Sequence, residues 1–133
     1  MYDWEKVLRE NPNGVLATAD GRKSKTRVFQ YLFAVDGNAC FCTSTDKPVY
    51  HQIKNNPYIS FCAYSKDFNP VLSLNGRAVF LDDPSLKERA LDENPHIKSI
   101  YGGADNPKFT IFWVELEEVE TFSFAEGPRV YNA

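Results

Sequence analysis

The 133-residue sequence contains no run of about 18 apolar residues, the length that a membrane-spanning helix requires. Its opening, Met1-Tyr2-Asp3-Trp4-Glu5-Lys6, lacks the basic and apolar regions of a secretory signal, so a cytoplasmic location is expected. Net positive charge is also lacking. Lys and Arg number 15 against 18 Asp and Glu, for a net charge of −3, which argues against non-specific binding to nucleic acid. The three cysteines, Cys40, Cys42 and Cys62, form no Cys-x-x-Cys pair and are too few for a disulfide framework. His51 and His96 stand at no recognisable metal-ligand spacing from them, so structural thiols are expected rather than a metal centre. A Gly-x-Ser-x-Gly elbow, a His-Glu-x-x-His helix and a phosphate-binding P-loop are all missing, and nothing points to hydrolysis.

What is present reads as one globular domain spanning residues 1–133, long enough to bury a core without disulfide or metal staples. Hydrophobic residues at 43% and charged residues at 25% exclude global disorder, and an aromatic content of 14% favours strands. Residues 2–10 carry a loose helical stripe with Asp3 as N-cap, stopped by Asn11-Pro12-Asn13-Gly14. Residues 14–19 form a strand, and Asp20-Gly21 a tight turn. Strands at 27–35 and 39–43 follow, turned by Asp36-Gly37-Asn38. A helix over 46–56 is capped by Thr45 or Asp46, carries Pro48 in its first turn and buries Val49, Tyr50 and Ile53. Strands at 58–64 and 71–81 come next, the latter with a bulge or bend at Asn75-Gly76. A short polar helix over 83–94 and a further turn over 96–101 precede a long strand from Phe109 to Val119. The tail from Glu126 reads as loose or partner-dependent. Six strands with a few short helices indicate a mainly β fold with α additions, an antiparallel barrel.

The 27–35 strand is apolar on both faces. Phe29, Tyr31, Phe33 and Val35 alternate with Val28, Gln30, Leu32 and Ala34, so a second cover besides the barrel core is expected, either a partner subunit or a bound ring.

Four features can carry ligand chemistry. In Cys42-Thr43-Ser44-Thr45-Asp46-Lys47-Pro48 a strand ends in hydroxyls and a helix begins beside a lysine. Free N–H groups, a helix dipole and a cation suit a phosphate monoester, while a plain N-cap with a solvated lysine is the alternative. Arg27 lies in the basic stretch 22–27, which is either a solvated turn or an anion site; its fork can hold phosphate oxygens. Gln30 is the one polar residue on its strand face. Its amide suits either a ring edge bearing both donors and acceptors or an interface with another chain. Phe112 and Trp113 either cover a planar ring or pack in the core. The acidic run at Glu115, Glu117, Glu118 and Glu120 reads as a solvent face, and His51 as a surface or capping residue.

These segments taken together resemble a known family. Arg27-Val28-Phe29-Gln30, then Phe41 to Lys47, then Lys54-Asn55-Asn56-Pro57 and Tyr58-Ile59-Ser60-Phe61 are similar to the FMN-binding split-barrel proteins of the pyridoxamine-phosphate-oxidase-like group, especially its short nitroimidazole-resistance-like members. The resemblance implies a six-stranded antiparallel split β-barrel and a homodimer with two FMN sites at the subunit interface. It places the phosphate on Arg27, Ser44, Thr45 and Lys47, with Thr43 beside them, and the flavin ring along Val28, Phe29 and Gln30. Asn75 and Trp113 of the second subunit would complete the pocket. The implied activity is that of an FMN-dependent oxidoreductase acting on a small molecule, with no side chain marked as catalytic. Alternatives are a flavin-binding module without turnover, and a split barrel holding haem or a deazaflavin. The C-terminus, Gly127-Pro128-Arg129-Val130-Tyr131-Asn132-Ala133, lacks the Arg- and His-rich substrate segment of the vitamin B6 oxidases.

Overall fold

A computed structural model describes residues 2–133. The element order is α1 (Trp4–Glu10), β1 (Asn13–Asp20), β2 (Lys23–Gln30), β3 (Phe33–Val35), β4 (Asn38–Ser44), α2 (Pro48–Asn55), β5 (Tyr58–Tyr64), β6 (Val71–Leu81), α3 (Pro84–Glu93), α4 (Pro95–Tyr101), β7 (Phe109–Ser123) and β8 (Gly127–Asn132). All strands join one antiparallel sheet in the order β2-β1-β5-β6-β7-β4-β3, with β8 added on β7.

The two ends of that path are consecutive pieces of chain, and this closes the barrel. β2 pairs with β1 along its whole length, from Lys23 opposite Asp20 to Gln30 opposite Asn13. The Tyr31 N–H still donates towards the β1 side, to Pro12 O, whereas the Leu32 N–H donates to Cys40 O on β4. The strand therefore changes partner between residues 31 and 32. This splits the 27–35 segment expected from sequence into two strands. With β8 that makes eight strands where six were expected, in the same mainly β architecture.

The partner change also shifts the side-chain alternation. Phe29, Tyr31 and Ala34 pack on the barrel core with Leu16, Phe41, Phe61, Leu74 and Phe112. Phe33, with Leu32 and Val35, joins a second cluster outside the barrel, with Cys40, Ala90, Leu91, Ile97, Phe109 and Ile111. The second cover expected for Phe33 and Val35 is thus the chain's own α3 and α4, and these two residues do not share a face with Phe29 and Tyr31. Val28 differs: it is 73% exposed on the outer face, opposite Val15.

Local chemistry explains most boundaries. Asp3 caps α1 by accepting from the Lys6 N–H, and Asp83 caps α3 by accepting from the Leu86 N–H. Gly21 turns β1 into β2 at φ 59°, a conformation open to glycine. The register of β6 on β7 shifts at Asn75-Gly76, the bulge expected there. Three further expectations fail. Tyr50 is only half-buried, and α2 buries Gln52 beside Val49 and Ile53. α2 begins at Pro48 with Lys47 as N-cap and no side-chain cap, and the Asp46 carboxylate is taken up by Ser44 and Lys108. The tail after Glu126 is an ordered strand: Gly127 turns the chain at φ 69° and β8 pairs with β7 from Gly127 to Asn132. No helix among the described residues is long and apolar enough to cross a membrane.

Candidate functional site

The partner change between residues 31 and 32 opens a wedge. Past Cys40, β4 keeps β7 on one edge, and no pairing with β2 is found among the described residues. β2 has diverged to β1, so the facing backbone edges of β2 and β4 are left without a ladder. A cleft of about 170 Å³ occupies this split. Val28, Phe29, Gln30 and Leu32 form one wall, Cys42 and Thr43 the other. Lys47 stands at one end, and Ile97, Ile100 and Tyr101 of α4 form the roof.

Five sequence-predicted residues meet here: Val28, Phe29, Gln30, Thr43 and Lys47. Thr43 is 2% exposed, and its Oγ1 has no hydrogen-bond partner among the described residues. A buried hydroxyl without a partner costs about 1–3 kcal/mol, and this one belongs to a residue that lines the cleft. Lys47 is exposed and takes part in none of the ion pairs found. Asp46, which would oppose an anion, is turned aside: it accepts from the Ser44 hydroxyl and its Oδ2 lies 3.4 Å from Lys108 Nζ. The Ser44 hydrogen bond holds its carboxyl below the usual range. Burial pushes the Cys42 thiol up to about 11, against the opposing pull of Lys47, so Cys42 lines the cleft as a neutral thiol. The Tyr101 phenol is raised first by burial, then by Cys42.

The other candidates lie elsewhere. Arg27 does not line the cleft. Its Nη1 donates to Thr18 Oγ1 at 2.8 Å and to Leu16 O at 3.2 Å, and its Nη2 to Gln52 Oε1 at 2.6 Å. Burial lowers its pKa. Ser44 donates to Asp46, the Thr45 N–H donates to Lys108 O, and neither residue lines the cleft. Asn75 faces a separate groove with Ala17, Thr18 and Ser60, and its amide donates to Glu118 and Glu120. Trp113 sits on the second cluster, opposite Cys40 and Val79 in register, with a buried Nε1 that lacks a partner among the described residues. A larger, more open depression beside α1 is lined by Asp3, Glu5, Gly37 and Glu115 and contains none of the predicted residues.

Sequence reasoning missed the roof and the bonds of Gln30. Gln30 Nε2 donates to Asn94 Oδ1 at 3.0 Å, and His96 Nε2 lies 2.9 Å from Gln30 Oε1. These contacts are intrachain; the expectation left open a ring edge or another chain. Separations of 64 and 66 residues leave no spacing signal that could have revealed them.

With this cleft in place, the comparison with known proteins is decisive for ancestry. The sequence profile described as pyridoxamine 5'-phosphate oxidase matches residues 3–123. The chain belongs to this family. A NimC/NimA family protein from Clostridium acetobutylicum has a TM-score of 0.86 at 23% identity, over 96% of this chain and 88% of that one. A pyridoxamine 5'-phosphate oxidase-related, FMN-binding protein from Nostoc punctiforme has a TM-score of 0.70 at 15% identity, over 99% and 91%. A haem-binding protein from Mycobacterium smegmatis has a TM-score of 0.76 at 16% identity, over 96% of this chain and 55% of that one. At these identities the likeness establishes the family's split-barrel fold. None of the curated proteins compared by sequence matches this chain.

Proposed function

We propose that the chain binds FMN in the β2–β4 cleft, as a homodimer, and acts as an oxidoreductase on a small molecule. The observation that carries this reading is Thr43: its buried hydroxyl has no partner among the described residues, and it lines the cleft together with Lys47, which is in none of the ion pairs found there. A hydroxyl and an ammonium at one end, with apolar walls and unladdered strand edges beyond, suit a phosphate joined to a planar ring bearing polar edge atoms. Arg27 adds to the phosphate site only through Nε and the remaining Nη2 hydrogen, the donors that Thr18, Leu16 and Gln52 leave free. Bound FMN would supply the electron transfer, while the chain supplies anchoring, orientation and exclusion of water.

Size supports the dimer. The cleft of about 170 Å³ falls below the roughly 300 Å³ at which drug-sized ligand pockets begin. Val28 and Ile100, exposed at 73% and 71%, stand on its lips. A second copy laid over this mouth would cover both and complete the pocket, with Asn75 and Trp113 as the residues proposed to come from the partner. Three free cysteines support a reducing compartment, the cytoplasm.

The test is a titration with FMN and with riboflavin, read by visible absorbance retained after desalting. Wild type should retain FMN, and Lys47→Ala should weaken FMN by about 1–3 kcal/mol, the scale of a charge-assisted hydrogen bond, while sparing riboflavin. Equal losses for both ligands would reject the phosphate assignment, and a colourless protein would reject the cofactor. Haem is the second reading, favoured by the likeness to the mycobacterial haem-binding protein. It needs an axial ligand, and His96 beside the cleft already has its Nε2 on Gln30. A Soret band in place of flavin bands would decide for it.

A further inference from the structure

A chain of hydrogen bonds with a fixed direction runs from the α3–α4 junction to the cleft. It begins at the carbonyl oxygen of Ala90, which can only accept. Asn94 Nδ2 donates to it at 2.9 Å. That bond fixes the Asn94 amide, so its Oδ1 faces Gln30 and the Gln30 atom opposite must be the nitrogen. Gln30 Oε1 is then turned to His96, whose Nε2 must carry a hydrogen. One backbone acceptor thereby sets the orientation of three side chains. Asn94 is 8% exposed and sits between the two helices as the C-cap of α3 and the N-cap of α4, so its position is held from both sides.

The valences of Gln30 can now be counted. A carboxamide has two N–H groups and two oxygen lone pairs. Asn94 takes one N–H and His96 one lone pair. One donor and one acceptor remain, on a residue that lines the cleft, and they cannot exchange places unless both existing bonds break. An unheld glutamine would flip and present either order.

We propose that Asn94 and His96 are positioning residues that hold Gln30 in one amide orientation, so that the cleft selects a ring whose edge carries a complementary donor and acceptor, such as the imide edge of a pyrimidinedione. This rests on the flavin reading and assigns the recognition of the ring edge to Gln30, separately from the phosphate end at Lys47. It also gives α4 a task besides roofing the cleft: His96 stands one residue before Ile97, so the element that covers the ring also orients the group that reads it.

The test uses His96→Leu and His96→Gln, changes at an exposed position. In the ligand-free protein, the side-chain amide of Gln30 should give a dispersed, rigid NMR signal in wild type. That signal should lose rigidity in His96→Leu, where the Asn94 bond alone still holds the amide, and recover in His96→Gln, which keeps an N–H donor. FMN and riboflavin should both bind roughly threefold to tenfold more weakly to His96→Leu, the scale of one neutral hydrogen bond, and equally so because the ring rather than the phosphate is affected. Unchanged affinity and an unchanged Gln30 signal in His96→Leu, with wild type binding flavin normally, would overturn the proposal. A wild type that binds no flavin but shows the rigid Gln30 amide would overturn the flavin reading and the ligand named here, while leaving the lock itself demonstrated.

Discussion

The guanidinium of Arg27 on β2 donates to Gln52 Oε1 on α2 at 2.6 Å, and Thr18 on β1 closes the triangle by accepting from Arg27 and donating to Gln52. Three elements are tied by one cation. Gln52 and Thr18 are buried, so removing Arg27 takes a donor from each, and removing Gln52 leaves the Thr18 hydroxyl without its acceptor. Arg27→Ala and Gln52→Ala should each destabilise the fold by about 1–3 kcal/mol. The double variant should lose clearly less than the sum, because both changes break the same bond. Arg27→Lys should rescue little, since an ammonium lacks the fork that reaches separate acceptors. Urea denaturation of the four proteins measures this. Strict additivity would show that Arg27 is not a brace.

Local chemistry made the turns legible: Asp20-Gly21 and Asn75-Gly76 announce a reversal and a bulge by residue type alone, and both are found. The family resemblance names Val28, Phe29 and Gln30 together with Thr43, Ser44, Thr45 and Lys47, and the structure places five of these on one cleft and leaves out Ser44 and Thr45. What failed was set by distant partners. The alternation slip at Tyr31-Leu32 comes from exchanging β1 for β4 as neighbour, which no local pattern records. Asp46 looked like a cap, but Ser44 and Lys108 compete for it. β8 is mostly exposed, so it lacks the apolar alternation that marks a strand; its pairing with β7 holds it. Arg27 looked like a free cation because Gln52 is 25 residues away.

Thr43→Val should separate stability from binding. The change removes a buried hydroxyl that has no partner among the described residues and keeps the side-chain shape. Without ligand, the variant should be more stable by about 1 kcal/mol, since the desolvation cost of the hydroxyl disappears. With FMN, it should bind more weakly by about 1–3 kcal/mol if the hydroxyl meets a phosphate oxygen. Thermal unfolding with and without FMN reads both effects. A variant that is less stable and binds FMN as tightly as wild type would show that the Thr43 hydroxyl serves the fold.

Alkaline pH should weaken the fold through its buried acids. Burial pushes the Cys40 thiol up to about 12, the Cys42 thiol to about 11 and the Tyr31 phenol to about 12. Each is neutral in the folded chain at a pH where the unfolded chain already ionises. The unfolded state then holds fewer protons, so stability is full below about pH 9, the unfolded thiol range, and falls as pH rises towards the folded values. By pH ~10 the loss should be about 1 kcal/mol for each thiol. Urea midpoints from neutral pH upwards should fall accordingly, and Cys42→Ala should flatten the slope. An unchanged slope in that variant would mean that the Cys42 thiol ionises equally in both states.

Gly76 makes the barrel's bulge possible by having no side chain. A Cβ there would collide with the carbonyl oxygen of Glu115 and meet Val114 Cγ1 at 3.0 Å. The first neighbour is backbone of the partner strand β7 and cannot turn aside, so β6 and β7 would have to separate. Gly76→Ala should therefore cost about 3 kcal/mol, as overpacking in a tight interior does. Gly37 provides the contrast. It sits at φ 78°, and a Cβ added there would meet nothing within 4 Å, so Gly37→Ala faces conformational strain alone and should cost about 1–2 kcal/mol. The difference should also appear in hydrogen exchange. Gly76→Ala should raise exchange rates at Asn75, Arg77 and Leu116, beside the bulge, whereas Gly37→Ala should affect only the β3–β4 turn. Equal costs for the two variants, with no local loss of protection on β6, would show that the bulge has room for a side chain.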